Sequence, residues 1–258
     1  MQAQVNVLIT SPAGYSGRFE RVFSESRLTP VVIPVIETVI RDNMPGIDSL
    51  MANLHRYEYI AFSSRKAIES FHGKWSSSKT PLGNIKFCAI GRDAEYMHEM
   101  LGVRPSVYPD EPSPAGIARK LGESSGISGK TIAVLVPLVE DTVEPDVVPD
   151  FITRLEGIGM AVTRINAYVT KPADAAQVRR AVDLIASKKV NCVAFTSSAE
   201  VDVLLQDMDN RRIMENVTVA CFGPYTAAYA RKKGLDVSVV ASDFSSFSGF
   251  LKAIEEHF

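Results

Sequence analysis

Ile60-Ala-Phe-Ser-Ser64 and Val193-Ala-Phe-Thr-Ser197 are one short plan written twice. Each is an apolar run of strand length that closes on hydroxyl residues. Downstream of the first, Ala67, Ile68 and Phe71 recur at helical spacing. Working outward, Ala89-Ile-Gly91 matches Cys221-Phe-Gly223, and Gly102 matches Gly234 as the glycine that ends the next helix. The same 132 residues separate the members of both glycine pairs. After each comes an extended run (Val103 to Tyr108, Leu235 to Val240), a loop containing Ser, and a final helical stretch. Asn6 to Val39 resembles Lys130 to Thr170 as strand, helix, strand. Internal self-similarity on this scale means that one supersecondary plan has been used twice.

The elements inside that plan alternate. Val5 to Ile9, Tyr57 to Phe62, Ile85 to Ile90, Lys130 to Val136, Val190 to Phe195 and Val217 to Phe222 read as strands. Between them Tyr15, Phe19, Val22 and Phe23, then Ala94, Met97 and Leu101, then Val178, Ala181, Val182 and Ile185 keep helical spacing. Strands alternating with helices predict an α/β fold with parallel sheets. The remaining composition excludes other classes. The chain has 258 residues, 46% hydrophobic and 22% charged, too apolar for intrinsic disorder. No stretch reaches the roughly 18 consecutive apolar residues of a membrane helix. Twenty-eight Lys and Arg against 30 Asp and Glu leave a formal charge of −2, so bulk attraction to nucleic acid or an anionic membrane is not expected. The N-terminus runs into a strand with neither a basic nor a long apolar leader, which predicts a cytoplasmic protein. Cys88, Cys192 and Cys221 sit in apolar runs without a C-x-x-C pair and read as buried free thiols. The four histidines show no zinc spacing, so no metal is expected. A phosphate-binding G-x-x-x-x-G-K-[ST] loop and a G-x-S-x-G elbow are both missing from the sequence.

Chemistry is expected where strands end. Thr10-Ser11, Ser63-Ser64 and Thr196-Ser197-Ser198 close three strands, and Gly91 and Gly223-Pro224 occupy the same place on two others. In open α/β sheets ligands lie outside the carboxyl ends of the strands. Helix capping explains any one of these hydroxyls alone. Their recurrence in both copies points to an anion-binding surface built on backbone N–H groups at helix starts. Arg65, Lys66 and Arg92 lie in the same loops, either as solvated surface charge or as a supply of positive potential. Tyr168, in Asn166-Ala-Tyr-Val-Thr170, is either a packing residue of a strand or, if it faces a cleft, a hydroxyl able to donate to a leaving group.

Taken together, the opening strand with Thr10 and Pro12, Val32-Ile-Pro-Val-Ile36, the two Phe-Ser/Thr-Ser loops, Ala-Tyr168-Val-Thr170 and Gly223-Pro224-Tyr225-Thr226-Ala227 resemble the uroporphyrinogen-III synthase family over nearly the whole chain. The resemblance implies two similar flavodoxin-like α/β domains joined by a two-stranded connection, the first domain discontinuous. Residues 1–36 and 169–258 are then expected in domain one and 37–168 in domain two. It also implies the reaction: hydroxymethylbilane, a linear tetrapyrrole, is cyclised to uroporphyrinogen III with loss of water and inversion of ring D, in the cleft between the domains and with no cofactor. Carried over onto this sequence, Tyr168 is the catalytic residue beside the leaving hydroxyl. The substrate-binding set is Thr10, Ser11, Ser63, Ser64, Arg65, Gly91, Arg92, Thr196, Ser197, Ser198, Gly223, Pro224, Tyr225 and Thr226. Two positions depart from the family pattern: Ser11 where many members have Arg, and Ala94 where the repeat places the counterpart of Thr226 and relatives often keep Thr. A monomer that meets hydroxymethylbilane synthase transiently is implied as well. The competing reading is a non-catalytic two-domain sensor that binds a tetrapyrrole or another small anion, because a fold does not fix a function.

Overall fold

The computed structural model describes residues 4–24, 26–78 and 80–258. In chain order the elements are β1 (Val5–Ile9), α1 (Ser16–Phe23), β2 (Leu28–Val32), β3 (Ile36–Val39), α2 (Pro45–Ala52), β4 (Tyr59–Phe62), α3 (Arg65–Ser78), β5 (Lys86–Cys88), α4 (Asp93–Leu101), α5 (Pro114–Gly122) and β6 (Thr131–Val139). They continue as α6 (Val147–Gly157), β7 (Ala161–Pro172), α7 (Ala175–Ala186), β8 (Cys192–Phe195), α8 (Ser198–Gln206), β9 (Thr218–Cys221), α9 (Pro224–Lys232), β10 (Val237–Val240) and α10 (Phe247–His257). The described helices include none long and apolar enough to cross a membrane.

The chain divides into two compact units. One comprises residues up to Thr38, Val139–Pro145 and Lys171–Phe258; the other comprises Val39–Leu138 and Asp146–Thr170. The division falls inside β3, at the last residue of β6 and inside β7. It assigns the short stretch Val139–Pro145, which begins with that last residue of β6, to the first unit, an excursion the repeat did not announce. Val143 packs on the first unit's core there, and Thr142 reaches Asp202.

The first unit holds a sheet in the order β10-β9-β8-β1-β2, whose four neighbouring pairs are all parallel. Apolar side chains cover both of its faces. Leu8, Val193 and Phe195 face one cluster, while Val7, Ile9, Cys192 and Ala194 face the other. Burial on both faces is why these strands read as continuous apolar runs. The second unit has the order β3-β7-β6-β4-β5, parallel at β4–β5 and β4–β6, again with a cluster on each face. Matching β4 to β8, β5 to β9 and β6 to β1 superimposes the two plans.

The match fails at both edges: β3, beside β7, has no counterpart in the first sheet. The second unit's counterpart of β10 is the run Val103 to Tyr108, which makes one isolated parallel bridge, Cys88 to Val107, in place of a strand. Pro105 and Pro109 flank that bridge and cannot donate to a ladder, so pairing cannot extend. Likewise Pro34 divides the apolar run Val31 to Val39 between β2 and β3. All three cysteines are buried and free.

Candidate functional site

In the second unit the loop after β4 meets β7. Ser63 donates to the carbonyl of Leu135 through both its N–H, at 3.3 Å, and its hydroxyl, at 2.7 Å, which pins the loop to β6. Ser64 starts α3, and its Oγ accepts the Ala67 N–H at 3.3 Å. The same hydroxyl donates to the phenol oxygen of Tyr168 at 3.0 Å. Tyr168 is 6% exposed and packs in the core cluster that includes Phe62 and Ala167. Its strand is held by Ser70 of α3, whose buried Oγ donates to the Ala167 carbonyl at 2.5 Å. Burial raises the Tyr168 pKa above the ordinary phenol value, an effect eased by the hydrogen bonds from Ser64 and Ser63 and increased slightly by Asp93. Tyr168 is therefore a phenol at neutral pH. With Ser64 as donor in their shared bond, the arrangement in which its Oγ also accepts the Ala67 N–H, the hydrogen of Tyr168 is left to a further acceptor.

Gly91 turns the chain from β5 into α4 with φ 48°, a left-handed conformation that side chains disfavour. Arg92, exposed, precedes the first residue of α4. Arg65 points across to this loop: its Nε lies 3.2 Å from Asp93 Oδ1, and its guanidinium stacks 4.2 Å from the Tyr96 ring centroid. The structure thus joins Ser63, Ser64 and Tyr168 in one contact network, and joins Arg65 to the Gly91–Arg92 loop through Asp93. Arg65 carries a compensated charge. Lys66 does too, with Glu69 Oε2 at 2.6 Å.

The first unit uses the same strand ends differently. Thr10 and Ser11 are completely buried. Ser197 caps α8, accepting the Glu200 N–H at 3.4 Å, and Ser198 begins the helix as a buried residue. Gly223 precedes α9, Pro224 occupies its first turn and Tyr225 is half-buried. Thr226, 6% exposed, donates to the Thr196 carbonyl at 3.4 Å and so ties α9 to the loop after β8. The hydroxyls of Thr10, Thr196 and Ser197 converge on Glu200, a residue that sequence reasoning missed. Its signal was there as a capping box, Ser197-x-x-Glu200. That motif reads as a surface helix start, whereas Glu200 is 0% exposed. In the second unit the corresponding cap is Ser64-x-x-Ala67, and the serine proton is directed to Tyr168 instead.

A surface cavity lined by Leu54, Tyr59, Lys86 and Lys130 opens at the other, amino end of β4, β5 and β6, where Lys130 is paired with Glu58. It lies away from every loop named above.

Residues 17–250 match the family described as Uroporphyrinogen-III synthase HemD. The chain belongs to the uroporphyrinogen-III synthase family. A Chlorobaculum parvum uroporphyrinogen-III synthase is 23% identical over 256 residues, covering 97% of this chain and 98% of that protein. Among solved structures, a mutant uroporphyrinogen III synthase from the extremely thermophilic bacterium Thermus thermophilus matches with a TM-score of 0.64 at 17% identity, covering 98% of this chain and 99% of that one. A wild-type crystal form of the Thermus thermophilus enzyme gives a TM-score of 0.49 at 15% identity, covering 98% of this chain and 97% of that one. Family membership and the fold agree with the α/β plan read twice in the sequence.

Proposed function

We propose that the chain cyclises hydroxymethylbilane to uroporphyrinogen III, with Tyr168 as the group that assists departure of the hydroxyl. The observation that carries this is the phenol of Tyr168 at the carboxyl end of its unit's sheet, 3.0 Å from the Ser64 hydroxyl and kept protonated by burial. The reaction breaks the C–O bond of the hydroxymethyl group and, to invert ring D, the one C–C bond that links that ring to its bridge carbon. Two C–C bonds form, the proton of the ring's free α-carbon leaves with the hydroxide as water, and there is no net change of oxidation state. Hydroxide is a poor leaving group, so departure calls for a proton or a strong hydrogen bond as the C–O bond lengthens. The adjacent electron-rich pyrrole supplies the push. The rest of the task is to hold a flexible polycarboxylate in a ring-like shape, a matter of positioning and of fixed dipoles. The loops at Thr10–Ser11, Ser63–Ser64, Gly91–Arg92, Thr196–Ser198 and Gly223–Thr226 do this mainly through backbone N–H groups, with the hydroxyls of Thr10, Ser63, Thr196, Ser197 and Thr226, bonded within the protein, fixing the loops' shape. The chain acts as a monomer of the cytoplasm. It takes substrate by transient contact with hydroxymethylbilane synthase, because free hydroxymethylbilane closes spontaneously to isomer I.

Fresh hydroxymethylbilane supplied to the protein, followed by separation of the uroporphyrin isomers, tests the reading. Isomer III is expected, and isomer I at the spontaneous rate would instead support a non-catalytic tetrapyrrole-binding sensor.

A further inference from the structure

Glu200 is a completely buried acid without an obvious counter-ion. It stands in the first turn of α8, at the carboxyl end of β8. Its Oε2 lies 2.7 Å from Thr10 Oγ1 and accepts the Thr196 N–H at 2.9 Å. Its Oε1 lies 2.5 Å from Thr196 Oγ1 and 3.2 Å from Ser197 Oγ. No Lys or Arg among the described residues forms an ion pair with it. Four groups from two separate loops therefore depend on one carboxyl.

The hydrogen count indicates its form. Thr10 Oγ1 has one proton and two neighbours that accept, Glu200 Oε2 and the Ala194 carbonyl at 3.0 Å. A carbonyl never donates. If Glu200 carries a proton, every bond has its own hydrogen: Glu200 donates to Thr10, Thr10 to Ala194, and Thr196 and Ser197 to Oε1. If it is ionised, a negative charge is buried whole at the strand ends where a polycarboxylate has to be held.

We propose that Glu200 is a positioning residue that fixes the Thr10 and Thr196–Ser197 loops of the substrate-binding surface, and that it does so as a neutral carboxylic acid. This deepens the reading of those loops as substrate-holding and rests on it. The surroundings agree. β1 and β8 carry no charged side chain. On β9 the facing titratable group is Cys221, whose thiol burial pushes up to about 12, with Arg231 of α9 acting on it in the opposite sense. Asp202, on the same helix as Glu200, is held by Lys233 and Tyr229. Burial raises the Glu200 pKa above the ordinary carboxylate value of 4.5, against the hydrogen bonds from Thr196, Thr10 and Ser197.

The sign of the linkage gives a test that needs no substrate. A raised folded-state pKa means that the native protein keeps a proton the unfolded chain has released. The stability from Glu200 is then present at acid pH and declines as pH rises above 4.5 through the folded value. Gln cannot titrate. The Tm of Glu200→Gln minus that of the parent should therefore increase between pH 5 and pH 8, by about 2 °C or more. A difference that stays flat or falls with pH overturns the neutral acid.

Positioning is read from turnover. Glu200→Ala should raise KM about tenfold with a smaller change in kcat, and Glu200→Gln should recover most of that loss. An alanine variant with the parent's KM, or a glutamine variant as impaired as alanine, overturns the positioning role. If Glu200→Ala does not fold, the glutamine variant and its pH slope still decide. Failure of the parent to form isomer III would count against the reaction itself, whereas the Tm comparison is independent of it.

Discussion

Tyr168 and Glu200 show two uses of one residue-scale device, the serine that caps a helix after a strand. Ser64 sends its proton to the Tyr168 oxygen; Ser197 sends its proton to Glu200. Removing the Tyr168 hydroxyl tests the first use. Tyr168→Phe keeps the ring in its core cluster, so the Tm should change by no more than a few degrees. Positioned proton donors contribute about 10²–10⁴-fold, and the low end is expected here because the pyrrole already expels hydroxyl unaided. The kcat should fall on the order of a hundredfold, with product binding altered far less. An unchanged kcat would return Tyr168 to a packing role, and a collapsed Tm would assign the rate loss to folding. Ser64→Ala should mimic part of this effect by leaving the phenol oxygen without its donor, and a kcat equal to that of the parent would remove Ser64 from the mechanism. With burial raising the phenol pKa, the donor persists through neutral pH and is lost only above the ordinary phenol range, so no alkaline fall in kcat below about pH 9 is expected from Tyr168. Tyr168 and the hydroxyl loops stood out in the sequence because strand ends are where α/β sheets bind ligands. Glu200 did not stand out, because a capping box carries no information on whether its acid faces water or is enclosed by two neighbouring loops.

At the scale of elements the repeat extends into glycines chosen for closeness. Ser113 caps α5 by accepting the Gly116 N–H at 3.0 Å, and Ser246 caps α10 by accepting the Gly249 N–H at 3.0 Å. In each case the serine also donates to an acid just upstream, Glu111 in one copy and Asp243 in the other. A Cβ built on Gly116 would overlap the Glu111 carbonyl, and one on Gly249 would overlap the Asp243 carbonyl. Gly116→Ala should therefore destabilise by about 2 kcal/mol or more, combining overpacking with a disturbed cap. Gly73, inside α3 with open space around it, is the control: Gly73→Ala should stabilise by about 0.5–1 kcal/mol. Urea unfolding of both variants checks the contrast, and equal effects would show that the close approach is relieved by backbone movement. The helices and strands of both copies were legible because burial on two faces makes an apolar run and burial on one face makes a 3.6-residue period. The run Val103 to Tyr108 was read as the partner of Leu235 to Val240, yet it forms a single bridge. Hydrophobicity gave the right place for a strand, and the two prolines denied it a ladder. The excursion of Val139–Pro145 to the first unit was not legible at all, since it depends on Val143 and Thr142 finding neighbours far away in the chain.

For the whole molecule the question is how a nearly neutral protein, at formal charge −2, holds a ligand that carries many carboxylates. A strongly basic surface would attract such a ligand over a Debye length of about 10 Å at 0.1 M salt, and its binding would weaken steeply as salt is added. The charges nearest the second unit's loops are already engaged: Arg65 with Asp93 and Lys66 with Glu69. In the first unit, the carboxyl at the strand ends is the one inferred to be neutral. What the loops offer instead is backbone N–H groups at helix starts, fixed partial charges that act at contact distance and are screened little once the ligand has displaced water. The affinity for product, measured by fluorescence titration of the oxidised porphyrin, should therefore fall by no more than about threefold between 50 and 500 mM salt. A loss of more than tenfold over that range would mean that free cations dominate recognition. In that event Arg92, exposed at the start of α4, is the first residue to replace, and Arg92→Gln would flatten the salt dependence. With a shallow dependence in the parent, the same substitution should leave the salt slope where it was, because the binding free energy then resides in short-range contacts that neither salt nor one surface charge reaches.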